Sequence, residues 1–143
     1  MSSENIRTTN PQQAFTLLEL LVVMVIMGML AAFVAPRYFA QVGKSQVKAA
    51  KAQIDAFDKA LDQYRIDMGR FPTTEEGLNG LTSAPPNDPA WGGPYLKKAV
   101  PPDPWGHSYV YTQPGTHADV DIISYGKDGQ QGGSGENADI TNW

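Results

Sequence analysis

One uninterrupted apolar run, Phe15 to Ala35 (FTLLELLVVMVIMGMLAAFVA), limits what this chain can become more than any other feature. At about 1.5 Å of rise per residue it would reach roughly 30 Å as a helix, the thickness of a bilayer's hydrocarbon core. It is too long for the apolar core of a secretory signal peptide, and the one suitable break point lies before it, at Ala14-Phe15. Its single charge is Glu19, the fifth residue of the run. A carboxylate so near a membrane is costly; by default it marks function and calls for a positive partner. A cut after Ala14 would give Phe15 a new α-amino group to supply that charge.

Set aside residues 1–14 as a leader and 15–35 as a transmembrane helix, and about 100 residues remain, enough for one small domain. The net charge is −4, so no basic excess points to nucleic acid. The chain has no cysteine, so a small domain outside the cytoplasm would have to hold together without disulfides. Val47, Ala50, Ile54, Phe57, Leu61, Tyr64 and Met68 recur at alternating spacings of three and four. That stripe predicts an amphipathic helix packed on its own domain; as a free coiled coil it would last only about three heptads. Pro36 sits between the two helical patterns and predicts a bend or local melting there. Gly69 and Pro72 stop the helix. Thr73 and Glu76 have capping-box spacing, which predicts a second, short helix running through Leu78 and Leu81. Charge divides along the chain. Pro36 to Met68 holds six basic residues against four Asp; Gly69 onward holds four basic against nine acidic. Such a division suits staggered packing of identical subunits, and equally describes a solvated surface.

Seven prolines between Ala84 and Gly106 bar regular structure, and Trp91, Tyr95, Leu96, Val100 and Trp105 are the apolar anchors such a loop requires. Strand signals follow at Ser108–Gln113 and Asp119–Tyr125, joined by a turn-like link, which predicts an antiparallel hairpin lying on the long helix. The fold class is therefore α+β. The last eighteen residues, Gly126 to Trp143, are Gly-rich with clustered oxygen donors: Asp128, Glu136, Asn137 and Asp139. Calcium takes six to eight oxygens and tolerates irregular geometry, yet the same residue types also make ordinary turns, and composition leaves both open. His107 and His117 lack companions for a zinc site. No nucleophile elbow, Ser-His-Asp spacing or phosphate loop appears, and Glu75-Glu76 reads as an acidic helix start rather than a catalytic pair. Residue types thus favour a structural or binding role over an enzyme.

The stretch Phe15-Thr16-Leu17-Leu18-Glu19 resembles the cleavage and methylation motif of type IV pilins and pseudopilins. That resemblance implies a prepilin peptidase that cuts between Ala14 and Phe15 and methylates Phe15. It also implies assembly through Glu19 and a proline segment, here Pro36, that adapts when subunits pack. The family residue before the cut is nearly always Gly, where this chain has Ala14. Farther on, Arg65 to Leu78, Trp91-Gly92-Gly93-Pro94-Tyr95-Leu96, Asp103-Pro104-Trp105-Gly106 and Ala138-Asp139-Ile140-Thr141-Asn142-Trp143 look like the G-type major pseudopilins of bacterial type II secretion systems. The resemblance implies a long N-terminal helix, half in the inner membrane, and a periplasmic domain over 36–143. Copies would polymerise into a filament that promotes export of folded proteins through the outer membrane. Implied partners are other copies of the chain, the prepilin peptidase, minor pseudopilins, the inner-membrane assembly platform, the outer-membrane secretin and lipid. It further implies one Ca2+ in the terminal loop, with Asp128 and the Tyr125 carbonyl at family ligand positions. A later acidic family ligand falls on Gly135, so Glu136, Asn137 or Asp139 would compensate. Two other readings stay open at this level: a true type IV pilin, and a membrane-anchored, calcium-dependent binding module.

Overall fold

In the computed structural model of the chain, residues 14–143 are described; most of the expected leader lies outside them. The elements are a helix α1 (Leu17–Met68), a 3-10 turn (Gly77–Leu81), strands β1 (Val110–Thr112) and β2 (Asp121–Ser124), a second 3-10 turn (Gly135–Asn137), and β3 (Ile140–Thr141). Two compact units divide between Phe39 and Ala40.

The first unit is the N-terminal part of α1. Its best window has a mean hydropathy of 2.7, and none of that window is buried by the chain itself. Phe15, Leu17, Leu18, Met24, Phe33 and Val34 all stand exposed. The backbone stays α-helical through Pro36, so the expected local melting is not seen. Proline removes a single N–H from the ladder, and the flanking residues keep the helical register around that gap.

The second unit, Ala40–Trp143, is the head. Its core forms on the predicted stripe: Ala50, Ile54, Phe57, Leu61 and Tyr64 are buried, and Val47 and Met68 pack at its edges. Fully burying each large apolar side chain is worth about 1.5–3 kcal/mol, which is why a 3.6-residue period in sequence becomes the helix's inner face. Gly69 ends α1 with φ +70° and an N–H donated to the Arg65 carbonyl at 2.8 Å, a left-handed stop that glycine accommodates without strain. The Thr73–Glu76 capping box forms in both directions, Thr73 N–H to Glu76 Oε2 at 2.8 Å and Glu76 N–H to Thr73 Oγ1 at 3.2 Å. What it starts is a turn and a five-residue 3-10 segment, not the expected α-helix. Gly77 at φ +59° interrupts the helical path right after the box. Leu78 and Leu81 still reach the core.

The expected hairpin is present, with Val110 opposite Ile123 and Thr112 opposite Asp121. A third strand, absent from the sequence reading, pairs on the other side of β2, Ser124 opposite Ile140. The sheet order is therefore β1-β2-β3, all antiparallel. The Gly-rich segment is a loop between β2 and β3, not a tail after the last strand. The proline-rich loop is tied down by its aromatics. Trp91 Nε1 donates to the Gly80 carbonyl at 3.1 Å and the Tyr95 hydroxyl to Asp67 Oδ2 at 2.9 Å; from β1, the Tyr111 hydroxyl donates to the Pro72 carbonyl at 2.7 Å. Burial pushes the Tyr111 and Tyr109 hydroxyls well above the ordinary phenol range, so both remain neutral donors.

Candidate functional site

Two places carry the residues singled out from the sequence, one in each unit. At the start of α1, Thr16 and Glu19 form a second capping box. Thr16 N–H donates to Glu19 Oε2 at 3.0 Å, and Glu19 N–H to Thr16 Oγ1 at 3.2 Å. The sequence reading missed it, although the Thr-x-x-Glu spacing repeats that of Thr73–Glu76. Glu19 thus plays a local part, since one of its oxygens satisfies a backbone donor that the helix start leaves open. The whole site is exposed, with Phe15 83% accessible. Ala14 and Phe15 precede the helix, which begins at Leu17, so a cut between them would not break its hydrogen-bonded ladder.

In the head, the candidate ligands lie along the β2–β3 loop, and its glycines do most of the folding. Gly126, Gly129, Gly132, Gly133 and Gly135 all have positive φ. Gly126 also has no room for a side chain, since a Cβ there would stand 2.7 Å from the Glu136 carbonyl and 2.9 Å from that of Ala138. The loop therefore folds back on its own root and gathers carbonyl oxygens there. Asp128 is exposed and accepts the Gln130 N–H at 3.1 Å. Asp139 Oδ2 accepts the Gly132 N–H at 3.0 Å, while its Oδ1 is buried without a hydrogen-bond partner. A desolvated carboxylate oxygen with nothing to bind is expensive unless a donor or cation meets it. Tyr125 is half-buried at the end of β2, and Asn137 is exposed in the second 3-10 turn. Glu136 stands apart from the other candidates: its Oε2 accepts Lys127 Nζ at 2.9 Å and its Oε1 lies against Gly43 of α1. Among the described residues no three His, Cys, Asp or Glu side chains gather as a metal cluster, so a cation in this loop would draw on carbonyls as well as on Asp128 and Asp139. An all-oxygen set of that kind is the type calcium accepts.

A polar network that the sequence did not reveal fixes the root of this loop. Asp103 is nearly fully buried, and its Oδ1 accepts the N–H groups of Trp105 (3.1 Å) and His107 (2.8 Å). Its Oδ2 accepts the Ser124 hydroxyl at 2.7 Å. Gly126 N–H reaches Ser124 Oγ at 3.3 Å, and His107 Nδ1 donates to the Gly126 carbonyl at 3.1 Å. Serine, aspartate and histidine do meet here, but not as a nucleophilic relay: the serine bonds the aspartate and is wholly buried. His117, the other histidine, pairs with Asp121 at 3.1 Å and stacks on Trp143 with centroids 4.1 Å apart. Burial alone pushes the Asp121 carboxyl up. The Thr116, His117 and Ala118 donors together outweigh it and hold the group below the usual carboxylate range.

With this geometry in hand, the relatives are informative. Residues 37–143 match the family described as type II secretion system (T2SS), protein G, and residues 9–35 match the prokaryotic N-terminal methylation motif. The type II secretion system core protein G of Pseudomonas aeruginosa is 42% identical over 135 residues, covering 92% of this chain and 95% of that protein. Its namesake from Vibrio cholerae is 43% identical and covers 92% of each. Among solved structures, the major pseudopilin from the type 2 secretion system of enterohaemorrhagic Escherichia coli superposes with a TM-score of 0.58 at 35% identity, over 73% of this chain and 92% of the other. Matched from the methylation motif through to Trp143, the chain belongs to the type II secretion system protein G family.

Proposed function

We propose that this chain is a polymerising structural subunit of a type II secretion pseudopilus. The observation that carries the reading is the apolar face of α1, exposed all round from Leu17 to Val34 and headed by Phe15 and Glu19. An apolar surface of that size left bare by its own chain requires lipid or other copies to cover it. In this reading residues 1–14 are removed by a prepilin peptidase, Phe15 is methylated, 15–35 hold the subunit in the inner membrane, and the domain 36–143 lies in the periplasm. On assembly, Glu19 Oε1, which the capping box leaves unused, receives the Phe15 α-amino group of a neighbouring copy. Losing that partner in an apolar filament core would leave a buried charge unpaired, so the pair sets register as well as attraction. Minor pseudopilins, the assembly platform and the secretin are the other partners.

The orphaned Asp139 Oδ1, a buried carboxylate oxygen with no donor to meet it, supports calcium in this loop. Asp139, Asp128, Asn137 and the Tyr125 carbonyl would hold the ion, which when bound supplies charge neutralisation and a cross-link in a domain without cysteine. The test is intact mass and filament yield from cells with and without a prepilin peptidase. Loss of residues 1–14 with gain of a methyl group, and sheared filaments from wild type but not from Glu19→Ala, are the expected results. An unchanged mass despite active peptidase, or normal filaments from Glu19→Ala, would overturn it.

A further inference from the structure

Helix α1 carries one glycine inside the head, Gly43, although alanine is the better helix former. Gly43 is buried, and a Cβ there would displace the Glu136 side chain, since it would fall on the Glu136 carboxylate, with Glu136 Cγ 2.8 Å away. At Gly28, by contrast, a Cβ would meet nothing within 4 Å. The glycine makes a notch, and the side chain filling it comes from the β2–β3 loop. Glu136 is tied on its other sides as well. Lys127 Nζ reaches Oε2 at 2.9 Å, and Lys127 N–H reaches the Glu136 carbonyl at 2.8 Å. Lys44 and Lys48 line the same groove beside Gly135 and Glu136. A carboxylate already paired with Lys127 and seated against α1 is poorly placed to be shared with a divalent cation.

We infer that Glu136 is a positioning residue rather than a metal ligand: it keys the β2–β3 loop into the notch that Gly43 leaves in α1. This deepens the calcium reading above, because the loop that would hold the ion is preset against the helix before any ion arrives. The seat fixes the stretch from Glu136 to Asp139, and with it the orphaned Asp139 oxygen.

The experiment uses the full chain in detergent micelles, as wild type, Gly43→Ala, Glu136→Ala and the double variant. Amide hydrogen exchange over residues 126–139 is measured in chelator, and calcium affinity by titration with the metal alone. Exchange in the loop rises several-fold in each single variant, no further in the double, and calcium binding weakens by a similar factor in all three. Exchange at residues 50–64 stays as in wild type, since alanine at position 43 favours the helix. Unchanged loop exchange in Gly43→Ala would overturn the inference. So would a Glu136→Ala variant that loses calcium while its loop exchanges as in wild type, because that is how a ligand behaves. Should wild type bind no calcium, the calcium reading fails alone, and the exchange arm still decides whether Glu136 keys the loop.

Discussion

Replacing Asp103 by alanine removes the acceptor for three donors at once, the amides of Trp105 and His107 and the hydroxyl of Ser124. A buried donor left unmet costs about 1–3 kcal/mol. Ser124 is fully buried and has no water to turn to, whereas the two amides are half-buried and partly rehydrate. The sum is roughly 3–5 kcal/mol, against about 5–15 kcal/mol for a domain of this size. With roughly 4–8 °C per kcal/mol, the melting temperature of the head falls by about 12–40 °C. Asp103→Asn keeps an oxygen for the two amides and an amide group that Ser124 can accept from; its cost is about 1 kcal/mol, or roughly 5 °C. Tryptophan emission is the assay, because Trp91, Trp105 and Trp143 all lie in the head and the apolar helix contributes no signal. An Asp103→Ala melt within a few degrees of wild type would refute the network's role. Equal losses in both variants would show that charge, not the count of acceptors, carries it.

Leu61 is wholly buried, so Leu61→Ala lowers head stability by about 2–5 kcal/mol in denaturant titration, while α1 before residue 40 keeps its membrane partition. Arg70 grips both Glu76 oxygens, at 2.8 and 3.0 Å, and this pairing holds the Glu76 carboxyl below the usual range. A depressed carboxyl contributes stability above its unfolded value, about pH 4.3, and loses it as pH falls through the folded value. Wild type therefore loses melting temperature below that pH more steeply than Glu76→Gln, and parallel profiles would contradict the assignment. Asp128→Ala lowers the melting temperature in calcium and leaves it unchanged in chelator; equal losses in both media would remove the metal role.

The parts of the fold legible in the sequence are those fixed by short-range rules. The stripe from Val47 to Met68 becomes the buried face because its period is the helix's own, and Gly69 ends the helix because a left-handed residue is needed there. Trp91, Tyr95, Leu96, Val100 and Trp105 anchor the proline-rich loop as expected, all packing against the core. The family motif at Phe15–Glu19 and the blocks around Asp103-Pro104-Trp105-Gly106 were readable for the same reason: they are contiguous. What stayed hidden is long-range. β3 is two residues long, too short for any alternation to register, and exists only because β2 offers it an edge. Asp103 stands in the proline-rich stretch with no local cue to burial, and its bond to Ser124 lies 21 positions away. Gly43 carried a usable signal, a glycine at a helix position that the stripe leaves next to the core. The Thr16–Glu19 capping box was equally visible in its spacing. The cost of a carboxylate near lipid points to a partner beyond the chain, yet the nearest one lies three residues away.

The last residues close the head in a way that bears on how it is made. Asn142 accepts the Ile122 N–H at 2.9 Å and donates to the Val120 carbonyl at 3.0 Å and to Asp58 Oδ1 at 3.2 Å. The contact to Asp58 spans 84 positions. During synthesis α1 can form as soon as it leaves the ribosome, since its hydrogen bonds are local. The sheet cannot finish until residue 142 has emerged, because β3 and Asn142 complete the edge of β2. A growing chain therefore presents a helix with its Ile54–Tyr64 face uncovered for most of its elongation. A chain interrupted before Ile140 would lack β3 and Asn142 and leave that edge of β2 unpaired.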